Sequence, residues 1–149
     1  MKQVPDTEVE RSLRPDDSTV DRAGVDGVIN YLDEFAIEEA LKIADAQGGS
    51  QVTILTMGPD KATDSIRKAL SMGADKAVHV TDDALAGSDV LATSLVLAKA
   101  LEATGFDLVI FGSESTDART GVIPAMTAER LGVPQLKPWP GRSTSRGRR

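Results

Sequence analysis

The sequence predicts an α/β fold, a mostly parallel sheet with helices on both faces, and three features predict it. Short apolar runs alternate along the chain with longer segments whose apolar residues recur at helical spacing. The runs Val52–Met57, Lys76–Val80 and Phe106–Phe111 are near-continuously apolar, as strands covered on both faces tend to be. Glycine punctuates the junctions, at Gly48-Gly49, Gly58, Gly73, Gly112 and Gly132.

The elements follow in order. Met1 to about Gly27 is polar, rich in Asp and Arg and broken by Pro5 and Pro15, so it reads as an extended segment with a short hairpin around Pro15-Asp-Asp-Ser. From Asp33 the period turns helical: Phe35, Ala36, Ile37, Ala40, Leu41 and Ile43 form an apolar face, and Gly48-Gly49 ends the helix. Val52–Met57 is a strand. Pro59 then suits a first helical turn, where its missing N–H costs nothing. A helix over Asp60–Ser71 turns Ile66, Ala69 and Leu70 towards the sheet, and Lys76–Val80 completes a βαβ unit. Ser88 is the expected N-cap of a helix running to about Ala103, with Asp89 in its first turn. Phe106–Phe111 is the next strand, and Val122–Leu131 the last helix.

In parallel sheets of this type, ligands bind beyond the carboxyl ends of the strands. Those ends are Met57-Gly58, Thr81-Asp82 and Gly112-Ser113, so the pattern points to a site there. The loop Gly112-Ser-Glu-Ser-Thr-Asp-Ala-Arg-Thr-Gly121 leaves a strand and opens a helix. Gly112 and Gly121 allow close backbone approach, Ser115, Thr116 and Thr120 offer hydroxyls, and the following helix presents free N–H groups at a positive dipole end. That combination suits a phosphate or pyrophosphate; the bland alternative is a solvated loop. Arg119 reads either as a phosphate partner or as a surface arginine, and Asp117 sits among these residues. Across the crevice, Asn30, Tyr31, Leu32 and Asp33 form the entry to the first helix, with Asp33 as its expected N-cap and Tyr31 and Leu32 as an apolar wall for a ring. Met57 faces the same space from a strand end, a position more often filled for packing.

Other chemistry lacks a pattern. His79 is the only histidine and reads as a packed strand residue, without the neighbours of a triad or a metal site. The acidic pairs Asp16-Asp17, Glu38-Glu39 and Asp82-Asp83 are adjacent in sequence, and adjacent side chains diverge on helices and strands. Neither Gly-x-Gly-x-x-Gly nor a Walker A motif occurs, which speaks against a nicotinamide-dependent oxidoreductase.

With 149 residues, 40% hydrophobic and 27% charged, the chain suits one domain with a substantial core. The absence of cysteine removes disulfides and thiolate metal sites. No apolar run reaches the ~20 residues that span a bilayer, and no signal or transit pattern stands at Met1, so a cytoplasmic protein is the expectation. The net charge of −6 conceals an asymmetry. Five of the 17 basic residues (Lys137, Arg142, Arg146, Arg148 and Arg149) fall in the last thirteen positions, which leaves 12 against 23 acidic residues in the body. An acidic body argues against nucleic acid as the main partner.

Four blocks, in order, resemble the beta subunit of electron transfer flavoproteins (the ETF beta/FixA family). They are Lys2-Gln-Val-Pro-Asp-Thr7, Asn30-Tyr-Leu-Asp-Glu-Phe-Ala-Ile-Glu-Glu-Ala-Leu41, Gly58-Pro-Asp-Lys-Ala-Thr-Asp-Ser-Ile-Arg-Lys-Ala-Leu-Ser-Met-Gly-Ala-Asp-Lys-Ala-Val-His-Val80 and Asp107-Leu-Val-Ile-Phe-Gly-Ser-Glu-Ser-Thr-Asp117. The resemblance implies a Rossmann-type three-layer domain, similar to the adenine nucleotide alpha hydrolases, over residues 1–135. It implies an electron carrier without catalytic residues of its own, which binds AMP, or a second FAD as in electron-bifurcating relatives. Main-chain groups of Asn30–Asp33 would meet the adenosine and Gly112–Gly121 the phosphates. The redox FAD would be held mainly by an alpha subunit in a heterodimer, and the transient partners would be acyl-CoA or other dehydrogenases and a quinone reductase. Family members open with an apolar strand before the Lys2 block and continue well past Gln135. The chain therefore reads as a fragment incomplete at both ends, first strand missing, with residues 136–149 as a disordered basic tail of frame-shifted character. The rival reading is a stand-alone adenine-nucleotide-binding module of stress-protein type.

Overall fold

A computed structural model describes residues 1–10, 12–22 and 24–136. The expected basic tail lies outside the described residues, apart from Leu136.

The chain starts with a short strand, β1 (Gln3–Pro5), which pairs antiparallel with β2 (Gly27–Ile29) in the register Gln3↔Ile29, Val4↔Val28 and Pro5↔Gly27. Neither strand is marked in the sequence, because three residues are too few to show alternation. Between them the expected hairpin is present: Leu13 bridges Val20 across the turn at Pro15–Asp17, with Arg14 N donating to Thr19 O at 2.8 Å.

Helix α1 (Tyr31–Gln47) begins two residues before the expected Asp33 and ends at Gly48. Strand β3 (Thr53–Met57) leads through a 3₁₀ turn at Asp60–Ala62 into α2 (Thr63–Ser71) and then β4 (Lys76–Val80). β3 and β4 are parallel and paired from Thr53↔Lys76 to Met57↔Val80, so this βαβ unit forms where the sequence placed it. The chain is thus an α/β protein with a parallel strand pair. Its burial differs in one respect from the continuous pattern expected. Along β3 only Ile54 and Thr56 are buried, and Lys76 and Ala77 of β4 are exposed, so the pair is covered mainly on one face.

The core gathers on that face. Ile29, Ile37, Ile54, Ala69 and Ala74 are buried together, with Met1, Leu41, Val52 and Met72 packed around them. On α2 the buried residues are Ser65, Ile66 and Ala69, a helical stripe laid on the strands. Helix α3 (Val90–Thr104) packs against β3 and against α4 (Ile123–Leu131). The cap of α3 is Asp89 rather than the expected Ser88: the Asp89 carboxylate accepts from Ala92 N at 2.8 Å, while Ser88 Oγ donates to Leu85 O. The N3 amide needs an acceptor at the residue three positions before it, and Asp89 occupies that position. Arg130 ties α4 to α3, donating from Nε to Ser94 Oγ at 2.9 Å and from Nη2 to Leu91 O at 3.1 Å.

The segment Phe106–Phe111, expected as a strand, joins no ladder among the described residues. Leu108 is 60% exposed. Apolar, β-prone composition does not make a strand without a neighbouring edge. Ordering each backbone residue costs about 1–2 kcal/mol, which only paired N–H and C=O groups and covered side chains offset.

Candidate functional site

The loop from Gly112 to Gly121 and the entry to α1 meet through hydrogen bonds made by two side chains. Asn30, 1% exposed, donates from Nδ2 to Glu114 O at 2.8 Å and accepts at Oδ1 from Thr116 N at 3.1 Å. Asp33, also buried, accepts from Lys2 N at Oδ2 (2.7 Å) and from Gly112 N at Oδ1 (3.1 Å). Each of these side chains fastens two backbone sites far from it in sequence. Asp33 is not the N-cap: that position is Asn30, whose side chain serves the loop and makes no cap bond to α1.

The close fit explains Gly112. A Cβ there would lie 2.4 Å from Asp33 Oδ1 and 2.9 Å from the carbonyl carbon of Leu32, so any side chain would displace backbone. Gly121 is needed for a different reason. Its φ is +61°, in the left-handed region, while the nearest atom to a Cβ would be Ser113 O at an ordinary 3.8 Å. Arg119 shares the positive φ, at +51°, and its amide donates to Ser115 O at 2.9 Å. Helix α4 follows directly, with no side-chain cap from Val122 and with Pro124 in its first turn.

Asp117 anchors the base of the loop. Its side chain is 1% exposed and bonded to Lys2 Nζ at 2.8 Å and Arg22 Nη2 at 2.6 Å. Its Oδ1 also accepts from Ala118 N, and Lys2 Nζ reaches Ser115 Oγ at 3.2 Å. Burial alone would raise the Asp117 carboxyl, but hydrogen bonds from Lys2, Ser115 and Arg22, with the lysine's charge, outweigh it and hold the group well below the usual carboxylate range.

A broad crevice runs the length of β3 and β4, from Val52 and Lys76 to Met57 and Thr81, and its lining includes Asn30, Asp33, Met57, Gly112, Ser115, Thr120 and Gly121. Hydrogen bonds bring Asn30 to Thr116 and Asp33 to Gly112, whereas Met57 shares only the lining of this crevice with the loop. Thr116 is buried and Asp117 is turned to Lys2 and Arg22, so these two support the wall rather than line it. The Arg119 guanidinium is exposed, 4.0 Å from Glu114. Tyr31 is 52% exposed, its ring edge-on to Phe35 at 6.3 Å on α1, and neither Tyr31 nor Leu32 lines the crevice. Lys2 and Arg22, absent from the expected site, are the principal additions. His79 behaves as a strand residue, its Nε2 2.9 Å from Gly58 O. Among the described residues no acidic, histidine or cysteine cluster could hold a metal ion, and no helix is long and apolar enough to cross a membrane.

The electron transfer flavoprotein domain matches residues 17–137. The chain belongs to the electron transfer flavoprotein family. It is 53% identical over 141 residues to an electron transfer flavoprotein subunit beta of Mycobacterium leprae, and 55% over 142 residues to one of Mycobacterium bovis; each match covers 91% of this chain and 53% of the relative. A protein FixA of Azorhizobium caulinodans is 46% identical over 141 residues, covering 91% of the chain and 50% of that protein. The chain spans about half the length of the curated relatives it matches.

Proposed function

We propose that the chain acts as the small, beta subunit of an electron transfer flavoprotein and binds AMP, or a second FAD, in the crevice where it passes the loop Gly112–Gly121, which packs directly against Asn30–Asp33. The observation that carries this reading is the loop's construction: its shape is fixed by bonds from Asn30 and Asp33, while Ser115, Thr120 and Gly121 line the crevice ahead of the first turn of α4, which has no side-chain cap. Free amides at a helix start, reached over glycine, favour a phosphate. Similarity to subunits named as beta supports the rest of the proposal. The domain is residues 1–135, the partner is an alpha subunit holding the redox FAD, and electrons pass from acyl-CoA or other dehydrogenases to a quinone reductase in the cytoplasm. Flavin chemistry resides in the cofactor, and the protein supplies position and electrostatics. This chain therefore contributes binding groups and no acid, base or nucleophile. Met57, Thr116, Asp117 and Arg119 complete the proposed site as wall and support, and Tyr31 and Leu32 lie at its α1 margin.

Titration calorimetry with AMP tests the reading. Gly121→Val forces a branched side chain into a left-handed conformation at the phosphate and weakens AMP binding. Thr120→Ala removes one hydroxyl, worth about 0.5–1.5 kcal/mol if hydrogen-bonded, and weakens it less. Equal affinity in wild type and Gly121→Val removes the loop from the binding site.

A further inference from the structure

Asp117 is placed oddly for a residue of a binding loop. Its carboxylate is almost wholly covered and does not line the crevice, yet both cations it holds, Lys2 and Arg22, do. Lys2 and Arg22 keep 41% and 52% of their side chains exposed, so each is anchored at one side and open on another. Lys2 Nζ also touches Ser115 Oγ, which places the ammonium at the crevice wall. Two cations on one carboxylate leave the triad with one surplus positive charge. Of the other acids that line the crevice, Asp33 takes the amides of Lys2 and Gly112, and Glu114 faces Arg119.

We infer that Lys2 and Arg22, aimed by Asp117 as a positioning residue, select a phosphorylated nucleotide over the bare nucleoside in the crevice. The inference rests on the nucleotide-binding reading above and names the part of the ligand that the triad recognises. A terminal phosphate group is a doubly charged acceptor, and cations held in a fixed orientation at the wall complement it without paying for their own ordering on binding. A nucleoside without that phosphate lacks the charged acceptor and depends on other contacts.

The test is calorimetry of AMP and adenosine against the wild-type chain, Arg22→Gln, Arg22→Lys and Asp117→Asn, with thermal unfolding of each variant alongside. Arg22→Gln and Asp117→Asn lower the AMP-to-adenosine affinity ratio by about tenfold, the value of one charged hydrogen bond, with adenosine affinity unchanged. Arg22→Lys keeps most of the ratio. The sign at Asp117 is decisive. Removing its charge makes the site more positive, so a mere screening role predicts tighter AMP binding in Asp117→Asn, and that result overturns the positioning role. An unchanged ratio in both variants overturns the inference as a whole. A parallel loss of AMP and adenosine affinity, or of folding, shows a structural role and overturns it too. Wild type that binds neither ligand instead overturns the nucleotide reading on which the inference stands.

Discussion

The βαβ unit from Thr53 to Val80 and the loop from Gly112 to Gly121 both line one crevice, but they are held by different means. In the unit, β3, α2 and β4 follow one another with short connections, and their contacts are mostly with neighbours in sequence. Val52 N donates to the Asp75 carboxylate, and Gly58 N to Val80 O, closing both ends of the pair locally. The loop has no such neighbours. Its shape depends on Lys2, Arg22, Asn30 and Asp33, residues 79 to 115 positions away. One wall of the crevice is therefore a scaffold and the other is a fitted part, shaped by partners that arrive from elsewhere.

Ile54→Ala tests the scaffold and should have the largest effect. Ile54 is 5% exposed at the centre of the core, and truncation of such a residue costs about 2–5 kcal/mol. Urea unfolding followed by circular dichroism measures it; a loss well below this range would mean the core can close over the gap. Gly112→Ala attacks the fitted wall instead. Overpacking against Asp33 and the Leu32 backbone should cost about 1–3 kcal/mol, with amide exchange quickening in 112–121 while β3 and β4 stay protected. Exchange that quickens equally in both regions would erase the distinction between them.

Asp117 offers a pH-dependent version of the same comparison. Its folded carboxyl lies below the ordinary value near 3.9, so its contribution to stability is complete above about pH 4–5. That contribution is lost as the pH falls below the unfolded value towards the folded one. Both cations are half exposed, which limits the sum to about 1–2 kcal/mol. Asp117→Asn should remove this part of the acid sensitivity and leave wild type and variant most alike at low pH. A constant difference from pH 7 to pH 2 would show that Asp117 acts by packing and not by charge. The smallest effect belongs to the surface of the scaffold. Arg67 and Asp64 form an ion pair on α2 with side chains 74% and 70% exposed, and Arg67→Ala should change stability by no more than about 0.5 kcal/mol.

What the sequence revealed follows the same division. β4 lies at the residues its apolar run marks, β3 and α4 begin one residue late, and α2 follows a 3₁₀ turn at Asp60–Ala62, because helical period, Pro59 and the flanking glycines are local signals. Phe106–Phe111 carries equally strong local signals but stands outside any described ladder, since a strand is a property of two segments. In the site, the glycines and hydroxyls of the loop were legible from residue type. The roles of Asn30 and Asp33 were legible only as helix-start chemistry, and their bonds to Gly112, Glu114 and Thr116 were not. Lys2 and Arg22 could not be found at all, because nothing in the polar N-terminal segment tells which of its cations will meet Asp117.

The Lys2–Asp117 contact spans 115 positions, and that distance along the chain bears on the order of folding. Closing so long a loop costs entropy that grows with the logarithm of its length, and the cost falls due before the contact returns anything. The βαβ unit needs no such closure and can nucleate by itself. Mutations at Asp117 should then leave the refolding rate nearly unchanged and appear as faster unfolding, as expected of interactions absent from the transition state. The binding wall would be the last region to assemble and the first to open, so the crevice is least durable on the side where the ligand's phosphate would rest.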